Sequence, residues 1–224
     1  MRYSAAIFAF VLFSPLTANA GLLEPSQMDA ARFLPPPPAV GSVEEKAEFD
    51  ELRAIAARST VEQRATAKQD AEDETPDIFN AAIGFDVAAR PQTFKLLGMI
   101  VAEEDGDTKG AKAFFHRDRP YSADPSLKTC TPVKPGKAAN SYPSGHASLA
   151  FSMGVVLASL MPEKSQAILA RSAEYAEHRL VCGVHFRSDI VAGQQFGTVL
   201  ALALMQNAQF QAQMNLARAE LAGH

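Results

Sequence analysis

The chain has 224 residues, 25 acidic against 21 basic side chains and a formal net charge of −4. The length suits one domain with a sizeable core, and the acidic balance excludes general nucleic-acid binding, which needs a basic surface. Two cysteines and five scattered histidines show no zinc-site spacing.

Residues 1–20 read as a signal peptide. Arg2 gives a short positive start, Ala5 to Leu16 an apolar stretch, and Ala18-Asn19-Ala20 a small-residue cleavage site. The apolar stretch is too short to span a membrane, and Pro15 interrupts it. Export to the periplasm or medium is therefore expected, with a mature chain from Gly21 and no membrane anchor. The most apolar later piece, Ile190 to Met205, holds Gln194 and Gln195. In an exported chain Cys130 and Cys182 are expected to pair, the alternative being two separate buried thiols.

Residues 21–41 form an extended arm, because Pro35 to Pro38 favour polyproline II and exclude helix interior. With Phe33 and Leu34 beside it, this arm is a linker, or packs on its own domain, or on a neighbouring subunit in a homodimer or higher oligomer. Residues 42–224 are assigned to one all-α domain. Ser42-Val43-Glu44-Glu45 is a capping box opening a helix to about Ser59, with Phe49, Leu52, Ile55 and Ala56 inward. A second cap at Ser59-Thr60 opens a polar helix whose charges read as a solvated face. Thr75-Pro76 and Pro91 start two more. The first buries Ile78, Phe79, Ala82 and Ile83. The second buries Phe94, Leu97, Ile100 and Val101, is interrupted at Asp105-Gly106-Asp107 and resumes until Pro120.

Tyr121 to Asn140 has no period and prolines at 125, 132 and 135, a long loop of the kind that often carries function. Helix follows from Ser144 to Leu160 and from Pro162 to Leu180, the latter with Ile168, Leu169, Tyr175 and Ala176 inward. After a break at Gly183, Ser188 caps a helix to about Asn207, and a last helix covers 208–222. No alternating strand pattern of useful length occurs, so the fold class is a single-domain helical bundle.

The stretch Ser141-Tyr142-Pro143-Ser144-Gly145-His146 reads, taken alone, either as an anion site or as a plain helix start with a surface histidine. Ser144 caps the coming helix, Gly145 lets backbone approach a ligand, first-turn N–H groups point outward, and His146 can exchange a proton near neutral pH. Two other segments carry matching chemistry: Lys112 with Arg119-Pro120 after six intervening residues, and Arg179, then His185 after five, then Asp189 after three. Three cations, a helix N-terminus, two histidines and a carboxylate suit a phosphate dianion.

These three motifs resemble the signature shared by type 2 phosphatidic acid phosphatases and vanadium-dependent haloperoxidases. Leu34 to Pro38 and Cys182-Gly183-Val184-His185 look like the class A bacterial non-specific acid phosphatases. The resemblance implies that Lys112, Arg119, Arg179, Ser144 and the Gly145 backbone hold phosphoryl oxygens. It makes His185 the nucleophile, Asp189 the acceptor that fixes its tautomer, and His146 the proton donor and later base. It implies no metal ion and no cofactor, phosphate monoesters as substrates, and inorganic phosphate or vanadate as site ligands. Phosphotransfer to alcohols such as nucleosides, vanadate-dependent halide oxidation, phosphate-ester binding without turnover, and hydrolysis of lipid phosphates are the alternatives. Two positions depart from the pattern. His178 stands where a serine or threonine usually precedes the motif arginine, which alters a hydrogen bond behind the phosphate site, and Ala147 stands where threonine is common. His116 and His178 are taken as structural or rim residues. Tyr121 and Tyr142 line the pocket mouth or pack in the core.

Overall fold

A computed structural model describes residues 21–133 and 140–223. The expected signal peptide, Pro135 and His224 lie outside the described residues. Those described form α1 (Val43–Arg58), α2 (Val61–Glu72), the short α3 (Asn80–Ile83), α4 (Pro91–Phe115), the short α5 (Pro120–Ala123), α6 (Gly145–Leu160), α7 (Ser165–Val181), α8 (Arg187–Leu204) and α9 (Ala208–Ala222). No strand occurs among them, and the helical bundle read from the sequence is the observed fold.

The bundle is organised around α6. Its sixteen residues, GHASLAFSMGVVLASL, include no Asp, Glu, Lys or Arg, and a helix apolar all round must be buried. Helices α4, α7 and α8 surround it, and α9 packs on α4. The approach of α8 to α6 is close because α8 carries glycine at the crossing. A Cβ at Gly193 would lie 2.5 Å from the Ser144 carbonyl oxygen, and one at Gly197 would run into that of Ser148. On the opposite side Gly154 makes room for Ser172, whose hydroxyl donates to the Ala150 carbonyl at 3.0 Å. Small residues thus set how closely α8 approaches the first turn of α6 and α7 its middle.

Ser42 and Thr60 cap α1 and α2, each accepting the N–H three residues on at 3.1 Å. Helix α4 is capped from outside its own sequence. Glu220 of α9 accepts the Gln92 N–H at 3.0 Å and the Thr93 N–H at 2.9 Å. The arm packs on its own domain: Leu23, Met28, Ala30 and Leu34 are buried, and the Tyr142 hydroxyl donates to the Pro35 carbonyl at 2.6 Å. Among the described residues no single helix is long and apolar enough to cross a membrane, and α8 with α9 would qualify only as a pair bent by 90°.

Several expectations are corrected. Helix α4 runs unbroken through Asp105-Gly106-Asp107, because its buried stripe continues through Ile100, Glu104, Thr108 and Ala111. It stops at His116, which is left-handed with φ 50°. Phe94 and Leu169 are 41% and 37% exposed rather than inward. In α1 the buried stripe includes Glu48, while Ala56 faces solvent. Ser188 lies inside α8, and its first turn is capped instead by Asp189, which accepts the Phe186 N–H at 2.8 Å. Helix α2 is not simply solvated, since Asp70 is buried against α7.

Replacing Gly197 with alanine forces a methyl onto the Ser148 backbone. We expect a loss of about 1–3 kcal/mol in urea denaturation, whereas Gly110→Ala, with open space around its Cβ position, is expected to be neutral or stabilising.

Candidate active site

Backbone hydrogen bonds tie the three motif segments together before any side chain acts. The Ser141 N–H donates to the Arg117 carbonyl at 2.9 Å, and the Ser144 N–H to the Asp189 carbonyl at 3.0 Å. Arg119 Nη1 donates to the Val184 carbonyl at 2.9 Å. Cys130 and Cys182 are joined by a disulfide, so the loop after α5 is fastened to the turn before His185. The result is a cavity of about 320 Å³ at the N-terminus of α6, lined by Lys112, Arg119, Arg179, Gly145, His146 and His185 among others.

His185 is buried, and its protonation pattern follows from its neighbours. Nδ1 stands 3.2 Å from Asp189 Oδ2, and Nε2 stands 3.1 Å from Arg119 Nη1. A guanidinium can only donate, so Nε2 is the acceptor and the proton sits on Nδ1, toward the carboxylate. Burial, then Arg119, Lys112 and Arg179, hold its pKa well below the ordinary histidine value. The ring is therefore neutral, with its Nε2 lone pair facing the cavity.

His146, the second residue of α6, stacks on Tyr175 with ring centroids 5.5 Å apart. Its Nδ1 lies 3.2 Å from Glu74 Oε1 and its Nε2 3.4 Å from the Ala71 carbonyl. Both neighbours are acceptors, which favours the doubly protonated ring. Burial, Arg179 and His185 oppose this and hold its pKa well below the ordinary value. An anion in the cavity would reverse the balance.

The cations are unequally satisfied. Lys112 Nζ donates to the Asn140 carbonyl at 3.2 Å. Arg119 Nε and Arg179 Nε and Nη1 are buried without a hydrogen-bond partner among the described residues. Burial, with Arg119 next, pushes the pKa of Arg179 down to about 10. Buried guanidinium donors without acceptors are costly, and here they line a cavity of a size that admits a phosphoryl group. Ser144 lies behind the wall: it is fully buried and its Oγ accepts the Ala147 N–H at 3.4 Å. Asp189 also lies behind, reaching the cavity through His185. Tyr121 lines the cavity, whereas Tyr142 is buried in the core. His178 turns away to Asp70, with Nδ1 2.6 Å from Oδ2.

Sequence reasoning missed Arg117. Its Nη1 donates to Asp189 Oδ1 at 2.7 Å and its Nη2 to Glu48 Oε2 at 2.6 Å, and its guanidinium lies 4.0 Å over the Phe186 ring. Ser141, also missed in this role, donates to Asp189 Oδ2 at 2.5 Å. The available signal was a second arginine two residues before Arg119.

The family model for the PAP2 superfamily matches residues 92–212, which contain all three motifs. The chain belongs to that superfamily. It is 31% identical to the non-specific acid phosphatase of Providencia stuartii, over 87% of this chain and 82% of that one. It is 30% identical to the acid phosphatase of Zymomonas mobilis, over 97% and 87%. The crystal structure of Aquifex aeolicus LpxE superposes with a TM-score of 0.55 at 20% identity, over 69% of this chain and 92% of that one. The transmembrane PAP2 type phosphatidylglycerolphosphate phosphatase of Bacillus subtilis gives 0.55 at 16%, over 80% and 92%. The resemblance drawn from the motifs thus holds for PAP2 family and fold.

Two outcomes follow from the charges in this PAP2 site. Arg179→Met removes buried, unpartnered donors; the ligand-free protein should gain about 1–3 kcal/mol in chemical denaturation while calorimetry shows orthophosphate binding lost. Both histidines have folded pKa values below the unfolded value of about 6.5, so protons bind the unfolded chain first. Their contribution is therefore full above about pH 6.5 and falls as pH drops toward the folded pKa values, by about 1.4 kcal/mol per pH unit for each ring. Denaturation from pH 7 to 5 should show this decline, and saturating phosphate should reduce it.

Proposed function

We propose that the chain is an exported acid phosphatase that cleaves phosphate monoesters through a phosphohistidine and without a metal ion. The observation that carries this reading is the pairing of a neutral, tautomer-fixed His185 with buried, unpartnered guanidinium donors of Arg119 and Arg179 around one cavity.

In this reading the phosphoryl oxygens accept from Arg119, Arg179 and Lys112 and from the first-turn N–H groups of α6. Nε2 of His185 attacks phosphorus as the bond to the ester oxygen breaks, and protonated His146 delivers its proton to the departing oxygen. The phosphorylated ring carries positive charge, which Asp189 offsets through the Nδ1–H. Water then gives a proton to His146 and attacks phosphorus, the P–N bond breaks, and inorganic phosphate leaves with His185 neutral again. Vanadate, tetrahedral and expandable to five ligands, is expected to inhibit. Breadth of substrate belongs to the proposal because relatives are named non-specific acid phosphatases. Export is supported by the Cys130–Cys182 disulfide, a bond that persists in oxidising compartments, and by the composition of residues 1–20.

Hydrolysis of p-nitrophenyl phosphate between about pH 4 and 8, with chelator present, tests the reading. Activity is expected to resist chelation and to vanish in His185→Ala. Asp189→Asn, which no longer selects the Nδ1–H tautomer, should lower kcat by roughly 100- to 10,000-fold. An acid-labile phosphoryl group trapped on His185 would support the intermediate; full activity in His185→Ala would refute it.

A further inference from the structure

Glu104 has no role in the reaction just described, yet it stands in the same cavity. It is buried on α4 one turn before Thr108 and two before Lys112, so the three side chains share one face of the helix. The Thr108 hydroxyl donates to Glu104 Oε1. Where a Cβ on Gly145 would project, Lys112 Nζ is 3.7 Å away and Glu104 Oε1 3.9 Å. A carboxyl group therefore abuts the glycine that opens α6, at the edge of a cavity whose floor is cationic. A carboxylate there opposes a bound anion and competes for Lys112. A neutral carboxyl does neither, and it brings an O–H donor.

We propose that Glu104 is a binding residue of the anion site, donating to a phosphoryl oxygen as the neutral acid and excluding the anion by pairing with Lys112 once ionised. The inference rests on the phosphate-site reading above and adds to it the reason for operation on the acid side. The surroundings of Glu104 place the change in a useful range. Burial raises its pKa to about 7, while Thr108 and Lys112 lower it and Glu74 and Asp105 raise it. The other charged or titratable groups lining the cavity are Lys109, Arg119, Tyr121, His146, Arg179 and His185. Lys109 is paired with Asp105 at 2.6 Å. Burial and the neighbouring cations hold both histidines well below the ordinary histidine pKa in the absence of an anion; a pH dependence from proton uptake by His146 on anion binding would persist in Glu104→Gln, so comparing the two proteins separates it from that of Glu104.

The test is calorimetric titration of the full-length protein with sulfate from about pH 6 to 8.5. Sulfate is a tetrahedral dianion whose charge is constant over this range, unlike that of phosphate. If only the neutral form binds, the wild-type Kd should rise by up to about 30-fold across the range, while Glu104→Gln, a donor that does not titrate, should stay within about 3-fold. Thr108→Val removes the hydrogen bond that favours the carboxylate, so its break should move to higher pH. A flat wild-type profile, or the same rise in Glu104→Gln, overturns the proposal. Should Glu104→Gln fail to fold, an unmoved break in Thr108→Val overturns it equally. Because sulfate binding is read directly, absence of ester hydrolysis would count against the phosphatase reading alone.

Discussion

The structure depends on one buried carboxylate. Asp189 is wholly enclosed and accepts from Arg117, Ser141, the Phe186 N–H and His185. Those partners come from the segment after α4, the segment before α6 and the start of α8. The network extends to α1 because Arg117 also binds Glu48, whose other oxygen accepts the Ser188 N–H at 2.6 Å. A buried ionic network of this kind contributes little net stability relative to a well-packed apolar core, yet removing one member strands the others at several kcal/mol. What it supplies is position. Arg117 holds Oδ1 while Ser141 and the Phe186 N–H hold Oδ2, so the carboxylate is fixed and gives the His185 ring one orientation and one tautomer.

That hub makes the rest of the site tolerable to the fold. Lys112, Arg119, Arg179 and the N-terminus of α6 bring like charge to one cavity, and burial together with neighbouring positive charge pushes protons off both histidines. The protein keeps donors in place before a ligand arrives, and their reorganisation during reaction is correspondingly small. The glycines of α8 serve the same end. Without Gly193 and Gly197 the start of α8 could not lie on the first turn of α6, and His185 would not face the cavity from beneath.

The sequence made the frame legible where local chemistry and tertiary packing agree. Ser42, Thr60 and Ser144 cap helices because a hydroxyl before a helical run has few better uses. The motif residues were legible as a set because charge and histidine recur at family spacing. Reading failed where a distant partner overrides local preference. Asp105-Gly106-Asp107 looks like a break, but a stripe that continues through Glu104 and Thr108 keeps α4 intact. Arg117 and Glu48 drew no reading, because nothing local says that they meet each other, and Arg117 meets Asp189, in the interior. Phe94 and Leu169 sit at apolar positions of real helices that no neighbouring element covers.

His178 shows how such a partner changes the meaning of a departure. Read along the chain, a histidine before Arg179 in place of serine or threonine is a loss beside the phosphate site. In the fold it faces Asp70, which also takes Arg171 in two contacts of 2.6 and 2.9 Å. Arg171 reaches on to the Ile78 carbonyl at 3.0 Å, and Tyr175 donates to the Asp73 carbonyl at 2.6 Å. Helix α7 thereby grips the end of α2 and the turn after it, the segment carrying the Ala71 carbonyl and Glu74 that face His146. Tyr175 in the same grip stacks on the His146 ring. The substitution therefore acts on the His146 side of the cavity, through the backbone that surrounds that ring, more than on Lys112, Arg119 and Arg179.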